Sequence, residues 1–280
     1  MEKIMIFGAG QAGTMISCWI SADCDVVGFI DNNEKMWGQI RADKKIYSPQ
    51  EAIDISPDII VITVLNREGS VKIEAQLKDM GYKGQIFNIN QLRDYIDIRL
   101  SALRLISDDI KEKNLPGEVA ELGVYKGKFA AEINRLFPDK KIYLFDTFEG
   151  FSDKDIETEQ SNGYSRAKQG DFSDTSIDLV KSKLPYVDNA TFVKGYFPES
   201  VTFELPEFCL VSLDTDLYEP TYEGLKVFYP KLVKGGVIIV HDYNSTQFSG
   251  VKKAVKRFCE EADVSVLPLS DMHGSAVLIK

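Results

Sequence analysis

The sequence predicts an α/β protein with two doubly wound units, each built around a mainly parallel sheet. Two observations support this fold class. Short apolar strands alternate with helical segments along most of the chain, and a glycine-rich turn follows the first strand of each half. The second strand of each half then ends at an acidic residue, Asp31 or Asp146. In doubly wound sheets, such turns and acids hold a nucleoside ligand at the carboxyl ends of the strands.

The first half, residues 1–92, contains a complete Gly-x-Gly-x-x-Gly motif. Gly8, Gly10 and Gly13 follow the first strand and open a helix, and Asp31 follows the second strand. This context favours a dinucleotide-type site. About 90 residues nevertheless make only half of a dehydrogenase-type fold. The predicted strands are Ile4–Phe7, Val26–Ile30, Ile59–Val64 and Gly84–Ile89.

The segment Gly28-Phe29-Ile30-Asp31-Asn32-Asn33 resembles small Rossmann-like domains of polysaccharide and sugar-nucleotide biosynthesis proteins. The resemblance implies a pocket for a nucleotide or nucleotide-sugar, or a vestigial pocket. The glycine motif adds NAD as a candidate ligand. The sequence leaves these alternatives open.

Residues 93–114 are predicted to form a linker helix. Pro116 and Gly117 end the helical pattern. This helix could pack against either half or form a dimer contact, and we expect a homo-oligomer. Apolar residues recur at a helical period between charged ones, at Leu92, Ile96, Leu100, Leu103 and Ile106.

The second half, residues 115–280, begins with a different turn. An apolar strand carries Glu121 to its end, and Gly123 and Gly127 lie in the turn before the next helix. A second strand then ends at Asp146. The turn lacks the tight glycine spacing and donor cluster that a pyrophosphate needs. It suits S-adenosylmethionine, whose methionine end is a zwitterion without phosphate. The alternative is an ordinary βαβ turn with glycines for packing.

The rest of the second half alternates regularly up to a closing pair of strands. A polar segment, Ser152–Gly170, is predicted to be a loop or lid, and His273 is assigned to a loop. The predicted helices are 129–136, 176–184, 222–232 and 251–260. The predicted strands are 119–122, 142–145, 190–193, 209–213, 237–240, 264–267 and 275–279.

Composition excludes several classes of partner. The 33 basic and 43 acidic residues give a net charge of −10, which argues against nucleic acid or an anionic membrane. No apolar run reaches the roughly 18 residues that span a bilayer, and no signal peptide precedes the first strand. The four cysteines are scattered without a Cys-x-x-Cys motif, so free thiols are expected. We expect a cytoplasmic protein that acts on a small molecule.

Acidic residues follow two buried strands of the second half. Asp214 and Asp216 follow one strand, and His241 and Asp242 follow another. The carboxyl ends of such strands meet at the ligand crevice. Three converging carboxylates repel one another unless a cation lies among them, so we predict Mg²⁺ or Mn²⁺ here. The metal would lower the pKa of a substrate hydroxyl. Helix capping by these aspartates is the alternative.

His241 is a candidate catalytic base. It is one of only two histidines in the chain, and an ordinary imidazole pKa suits removal of a hydroxyl proton near neutral pH. A histidine that is merely hydrogen-bonded at a strand end is the alternative.

Residues from about 98 to 280 resemble the macrocin O-methyltransferase family. Its members are S-adenosylmethionine- and metal-dependent methylases of sugar hydroxyls in antibiotic and polysaccharide pathways. The resemblance implies a class I methyltransferase sheet closed by an antiparallel hairpin. The matching segments are Pro116–Gly127, Phe145–Phe151, Leu213–Glu219, Tyr229–Leu232, Gly235-Gly236 and His241–Tyr243.

The resemblance also implies roles for individual residues. Asp214, His241 and Asp242 would hold the metal, and Asp216 is a candidate base. The cofactor would be bound by Glu121, Gly123, Val124, Gly127, Asp146, Thr147, Phe148, Asp171, Phe172, Gly195 and Phe197. One departure is His241, because the family usually has aspartate there. Imidazole suits Mn²⁺ or another transition metal better than Mg²⁺; alternatively, His241 leaves the metal and acts as base.

We therefore expect a metal-assisted, S-adenosylmethionine-dependent O-methyltransferase. Its acceptor would be a sugar hydroxyl of a nucleotide-sugar, polysaccharide or glycosylated natural product. The alternative is an NAD(P)- or nucleotide-sugar-binding protein that acts through the first half. That half lacks a nearby His, Lys or Tyr-x-x-x-Lys arrangement suited to hydride chemistry.

Overall fold

The structure, a computed structural model, describes residues 1–272 and 274–280. His273, assigned to a loop from the sequence, lies outside the described residues. Within the described ranges, no helix is long and apolar enough to cross a bilayer. The chain forms two compact units: unit 1 is Met1–Ile98 with Ser270–Met272, and unit 2 is Arg99–Leu269 with 274–280.

Unit 1 contains a six-stranded sheet in the order β3-β4-β2-β1-β5-β6, parallel except for β3. The four predicted strands are confirmed as β1, β2, β5 and β6. Met5, Ile6, Ile60 and Ile62 of the central strands are fully buried. The elements are β1 (Glu2–Phe7), α1 (Gln11–Ser17), β2 (Cys24–Ile30), β3 (Ile40–Arg41), β4 (Lys44–Tyr47), α2 (Pro49–Ile55), β5 (Ile59–Ile62), α3 (Arg67–Asp79), β6 (Gln85–Asn88) and α4 (Asn90–Arg93).

The sequence prediction misses the hairpin of β3 and β4. Its turn is formed by Ala42 and Asp43, which both have positive φ, +45° and +59°. Two-residue hairpins of this kind normally use Asn or Gly, because other residues rarely adopt positive φ. Ala42 therefore gives no turn signal in the sequence.

Unit 2 contains a seven-stranded sheet in the order β12-β13-β11-β10-β7-β8-β9. Strand β13 runs antiparallel to β11 and β12, and the other pairs are parallel. The predicted antiparallel closing pair is thus confirmed, but its first strand is only Leu267–Pro268 and not the predicted 264–267. The elements are α5 (Ile98–Glu112), β7 (Glu118–Leu122), α6 (Lys128–Leu136), β8 (Ile142–Asp146), α7 (Asp153–Asn162), α8 (Ile177–Lys181), β9 (Ala190–Lys194), β10 (Phe208–Leu213), α9 (Tyr218–Lys231), β11 (Leu232–Val240), α10 (Ser249–Ala262), β12 (Leu267–Pro268) and β13 (Ala276–Ile279).

The predicted linker helix corresponds to α5, which starts at Ile98 and follows the separate short helix α4. Leu103 and Ile110 of α5 are buried in an apolar core of unit 2. The structure thus assigns α5 to unit 2, while the domain limits 1–92, 93–114 and 115–280 stay a prediction.

The prediction of a loop over Ser152–Gly170 is wrong for its first part, which forms helix α7. The Ser152 hydroxyl caps this helix by accepting from the backbone N–H of Asp155, and Gly163 ends it with φ +65°. These are ordinary capping signals. The helix has few apolar residues and buries only Asp155, Ile156 and Glu159, so the hydrophobic pattern did not reveal it.

Helices α5 and α6 cover one face of the unit 2 sheet. Val119 of β7 and Leu210 of β10 point into the core beneath them, together with Leu103. Side chains alternate between the faces of a strand. Glu121 and Ser212, two residues further along the same strands, therefore also lie on the α5/α6 face.

Candidate active site

The glycine turn after β7 brings the backbone close to the end of β10. Gly123 has φ +85°, and its N–H donates to the carbonyl oxygen of Phe145 at 2.9 Å. A Cβ on Gly123 would lie 2.1 Å from the carbonyl oxygen of Asp214. Gly127 has φ +74°, and a Cβ there would lie 2.7 Å from Val180. Packing alone requires both glycines, so a ligand role rests on the groups around the turn.

Asp146, at the end of β8, holds the glycine turn in place. Its Oδ2 accepts from the backbone N–H groups of Val124 (2.7 Å) and Tyr125 (2.8 Å), and its Oδ1 accepts from that of Phe148 (2.6 Å). A carboxylate offers roughly four acceptor positions. The fourth position, on Oδ1, faces only the Thr147 hydroxyl at a long 3.5 Å, so a ribose hydroxyl could compete for it.

Two other predicted residues lie next to Asp146. The Thr147 hydroxyl donates to the carbonyl oxygen of Gly150 at 2.7 Å. Gly195 has φ +135°, and its N–H donates to the Asp146 carbonyl oxygen at 3.0 Å. The structure thus brings Thr147 and Gly195 to the end of β8.

Phe148 and Phe197 are predicted to bind the cofactor, but the structure places both rings in apolar cores. Phe148 is buried in the core of the α5/α6 face. The Phe197 ring centroid lies 5.7 Å from that of Phe145 and 5.4 Å from that of Phe228. Core packing explains the burial of both rings without a ligand.

A cavity of about 280 Å³ adjoins the glycine turn. The ring centroid of Phe172 lies 5.1 Å from that of Tyr125 and 5.0 Å from that of Phe151. Asp171 and Phe172, both predicted cofactor residues, thus lie beside this turn. The cavity is lined by aromatic Tyr125, Phe172 and Phe248 and by polar Arg166, Asp171 and Gln247.

The predicted acidic cluster forms at the ends of β10 and β11. Asp214, Asp216, His241 and Asp242 each offer one ligand atom, and these atoms all lie within 4.8 Å of one another. His241 Nδ1 lies 2.9 Å from Asp214 Oδ1 and 2.9 Å from Asp242 Oδ2. Asp216 and Asp242 have positive φ, +61° and +55°, a strained conformation that is concentrated at functional sites.

Arg99 belongs to this cluster, and the sequence analysis missed it. Its Nη1 lies 2.9 Å from Asp214 Oδ2, and its guanidinium carbon lies 3.8 Å from the ring centroid of Phe129. Arg99 lies near the start of α5, far from the acidic residues in sequence, so no local motif connects them. The available signal was the cluster's need for a positive charge, which the sequence analysis assigned to a metal alone.

Among the described side chains, Arg99 and a protonated His241 offset the negative charge of the cluster. Burial, reinforced by the charges of Asp214 and Asp242, raises the pKa of Asp216 well above its ordinary value. Burial also opposes ionisation of Asp214, but Arg99 and His241 outweigh it and hold that pKa below the ordinary value. Burial disfavours a charged His241, yet Asp214 raises the pKa of His241 to about 10. At neutral pH His241 is then an imidazolium. The raised pKa makes Asp216 a stronger proton acceptor than an ordinary aspartate.

Glu121 is buried at the end of β7, with 1% of its surface exposed. The Ser212 hydroxyl donates to Glu121 Oε1 at 3.3 Å, whereas Oε2 has no hydrogen-bond partner among the described residues. Burial and the charge of Asp214 raise the pKa of Glu121, and Arg99 acts in the opposite direction. An unpaired buried acceptor costs about 1–3 kcal/mol. Oε2 therefore marks a place where a ligand donor would bind.

The donor set of the cluster fits a divalent cation. One ligand atom from each of three carboxylates and one imidazole lies within 4.8 Å of the others, and a nitrogen ligand suits Mn²⁺ better than Mg²⁺. A cation held by Asp214, His241 and Asp242 would replace the proton on His241. It would also share Asp214 with Arg99.

Unit 2 has the fold of known methyltransferases. The solved O-methyltransferase NovP superposes with a TM-score of 0.53 and 23% identity, over 65% of this chain and 79% of NovP. The sheet order and this likeness define the fold of unit 2 as that of class I methyltransferases.

The family follows from the sequence match. Residues 96–280, more than half of the chain, match the family model for macrocin-O-methyltransferase (TylF). The chain belongs to this family. Residues 1–86 match a different model, described as C2185-like, N-terminal.

Two curated relatives are similar over part of their length. Demethyldecarbamoylnovobiocin O-methyltransferase of Streptomyces niveus is 26% identical over 52% of this chain and 60% of its own. The 8-demethyl-8-(2,3-dimethoxy-alpha-L-rhamnosyl)-tetracenomycin-C 4'-O-methyltransferase of Streptomyces olivaceus is 23% identical over 64% of this chain and 71% of its own. The match thus spans about six-tenths to seven-tenths of these relatives.

Proposed function

We propose that the protein is an S-adenosylmethionine-dependent O-methyltransferase that acts on a sugar hydroxyl. One observation carries the proposal: a nucleoside-type turn and a polar catalytic cluster meet at one edge of the sheet, where Gly123 packs directly on Asp214. Membership in the macrocin-O-methyltransferase family supports the reaction type. The rhamnosyl group in the name of one relative supports a sugar-containing acceptor.

The cofactor would lie along the glycine turn. Gly123, Gly127 and Glu121 would contact its methionine part, and Asp146 would accept from the ribose through Oδ1, where its weakest contact lies. Asp171 and Phe172, which line the adjoining cavity, would enclose the adenine.

The acceptor hydroxyl would be activated at the acidic cluster. Asp216 would take the hydroxyl proton while the acceptor oxygen bonds to the methyl carbon and the carbon–sulfur bond breaks. A divalent cation at Asp214, His241 and Asp242 would lower the pKa of that hydroxyl. In-line alignment of oxygen, carbon and sulfur supplies much of the rate, so residues that position the acceptor matter as much as the base.

The acceptor class is a sugar on a nucleotide, a polysaccharide or a glycosylated natural product. Tyr125 and Phe248 of the cavity would offer aromatic faces to the apolar face of a sugar ring, and Arg166 and Gln247 would offer hydrogen-bonding groups beside them. A small-molecule acceptor also agrees with the acidic composition of the chain.

Methyl transfer measured with and without chelator tests the function and the metal together. Transfer of labelled methyl to a panel of nucleotide-sugars and glycosides should stop with chelator and return with Mn²⁺ or Mg²⁺. His241→Asp restores the usual family ligand. If His241 is only a ligand, this variant should stay active and prefer Mg²⁺; if His241 is the base, its rate should fall.

Two outcomes would contradict these proposals. Failure to bind S-adenosylmethionine or S-adenosylhomocysteine in calorimetry would refute the methyltransferase function. Full activity in chelator would refute the metal alone.

A nucleotide, nucleotide-sugar or NAD in unit 1 is the second proposal. Gly8 has φ +114° at the end of β1, and Asp31 Oδ2 accepts from the backbone N–H of Ala9 at 3.0 Å. This arrangement parallels the turn of unit 2. Calorimetry of the full chain with NAD and nucleotide-sugars, compared with Asp31→Ala, tests it; equal heats would refute it. A cytoplasmic location and a homo-oligomeric state stay predictions.

A further inference from the structure

Unpaired buried atoms are concentrated beside the glycine turn of unit 2. Six buried side-chain nitrogen or oxygen atoms lack a hydrogen-bond partner among the described residues. Three of these six belong to two residues, Arg99 (Nε and Nη2) and Glu121 (Oε2). Two donors and one acceptor thus remain unused, although buried polar groups in proteins are almost always paired.

Both residues lie close to Asp214. Asp214 accepts from Arg99 Nη1 at 2.9 Å, and its backbone N–H donates to the carbonyl oxygen of Leu122 at 2.8 Å. Glu121 precedes Leu122, and its side chain receives the hydroxyl of Ser212, two residues before Asp214. Arg99 and Glu121 therefore flank the same strand end on the α5/α6 face.

The unpaired edge of Arg99 has a definite chemical preference. The Nε and Nη2 hydrogens point the same way and form the fork that binds a carboxylate through two parallel hydrogen bonds. Nη1, the remaining nitrogen, already contacts Asp214. The Phe129 ring beneath the guanidinium, 3.8 Å from its carbon, fixes the plane of the fork.

The charges at this place favour a ligand that carries both signs. A simple anion would meet the carboxyl groups of Glu121 and Asp214. A simple cation would meet the guanidinium of Arg99. An α-amino acid group carries an ammonium and a carboxylate on the same carbon, so its ammonium could pair with Glu121 and its carboxylate with Arg99. S-adenosylmethionine ends in such a group.

We propose that Arg99 binds the α-carboxylate of S-adenosylmethionine through Nε and Nη2 while Glu121 Oε2 binds its α-ammonium. This inference rests on the proposed methyltransferase function. Arg99 then has two roles, because the guanidinium that binds the cofactor carboxylate also pairs with Asp214 of the acidic cluster. It links the methionine end of the cofactor to the place where the acceptor hydroxyl is activated.

A comparison of two cofactors tests the role of Arg99. Decarboxylated S-adenosylmethionine keeps the adenosine, sulfonium and ammonium groups and lacks only the carboxylate. Calorimetry should show that the wild type binds S-adenosylmethionine about 10- to 100-fold more tightly than this analogue, the ratio expected for a charge-assisted hydrogen bond. Arg99→Gln should bring the two affinities close together, because it should weaken the binding of S-adenosylmethionine and leave that of the analogue unchanged.

Two further variants make the test independent of folding losses. Arg99→Lys keeps the charge without the fork and should give an intermediate ratio, even if Arg99→Gln folds poorly. Arg104→Gln is the matched control, because Arg104 lies on the same helix but pairs with Glu132 at the surface, with half of its side chain exposed. Its ratio should equal that of the wild type.

The outcomes separate this inference from the function on which it rests. The inference is wrong if Arg99→Gln weakens the binding of both ligands equally, or if the wild type binds both with the same affinity. Arg99 would then only support Asp214. If the wild type binds neither ligand, the methyltransferase proposal itself fails.

Discussion

Units 1 and 2 share a backbone arrangement at the carboxyl edge of their sheets. In unit 1 the N–H of Gly8 donates to the carbonyl oxygen of Ile30 at 2.8 Å, and in unit 2 that of Gly123 donates to Phe145 at 2.9 Å. In both, the acid after the second strand accepts backbone N–H groups of the glycine turn. The residue after the neighbouring strand, β5 or β10, is also placed alike. The backbone N–H of Thr63 donates to the carbonyl oxygen of Phe7 at 2.9 Å, and that of Asp214 donates to the carbonyl oxygen of Leu122 at 2.8 Å.

The side chains at these equivalent positions differ in charge. The Thr63 hydroxyl donates to the carbonyl oxygen of Phe7 at 3.0 Å, where unit 2 has Asp214. Asn90 stands where unit 2 has Asp242, and its Nδ2 donates to the Val64 carbonyl oxygen at 2.8 Å and to Ser70 Oγ at 3.1 Å. Unit 1 thus has neutral side chains at these two positions, and their polar atoms have hydrogen-bond partners within the unit.

The comparison shows that the scaffold alone does not specify chemistry. In unit 1 the polar groups of Thr63 and Asn90 have partners within the unit, and Asn90 Oδ1 accepts from Arg93 Nη1 at 3.0 Å. In unit 2 the carboxylates need cations, and Arg99 and Glu121 retain unpaired atoms. We therefore expect ligand binding and reactivity at places where buried polar atoms lack hydrogen-bond partners.

The largest expected difference between the units is the loss of unfolding free energy when the equivalent polar residues Asp214 and Thr63 are replaced. Asp214→Asn leaves Arg99 and His241 buried without a carboxylate between them, which should cost about 3–5 kcal/mol of unfolding free energy. Thr63→Val removes one neutral hydrogen bond and should cost only about 1 kcal/mol. Denaturant unfolding of both variants measures the difference. Similar costs would contradict the distinction drawn between the two edges.

A second difference should appear in cofactor affinity. Asp146→Ala removes an acceptor for the ribose and should weaken S-adenosylmethionine binding by about 1.5–3 kcal/mol. Asp31→Ala removes the equivalent acid of unit 1 and should leave that affinity unchanged. Calorimetry of the full chain measures the affinity of each variant for S-adenosylmethionine. The assignment of the cofactor to unit 2 fails if Asp146→Ala binds normally or if Asp31→Ala causes the larger loss.

The smallest effect concerns acid stability. Arg135, helped by Arg104, lowers the pKa of Glu132 in unit 2 to about 2 against the opposing effect of burial. Because the folded pKa is depressed, this stabilisation is present above pH 4.5 and is lost as pH falls towards 2. With screening of the half-exposed arginines it amounts to roughly 1–2 kcal/mol.

A matched pair of variants isolates that effect. Glu132→Gln should flatten part of the acid-induced loss of stability. Glu51→Gln in unit 1 should change it less, because the Glu51 carboxylate is exposed although its pKa is also lowered, mainly by the backbone of Ser48. Unfolding midpoints between pH 5 and pH 2 provide the measurement. Equal effects would show that burial does not set the contribution.

The sequence by itself determined the fold class, the glycine turns and the location of the acidic cluster. These features depend on local patterns: alternation of apolar strands and helices, glycine at positions of positive φ, and acids directly after buried strands. Because the ends of parallel strands meet at one edge, Asp214 and His241 could be expected together before any coordinates were known. Polar helix α7 and the hairpin at Ala42 lack such patterns, and the sequence analysis missed them.

Only the tertiary structure decided which cation accompanies the carboxylates. Arg99 reaches Asp214 from another helix, and that contact depends on how α5 packs against the sheet. The protonation of His241 and Asp216 is decided in the same way, because burial and neighbouring charges set their pKa values. Residue types and spacing along the chain carry no information about either the desolvation or the distances that produce these effects.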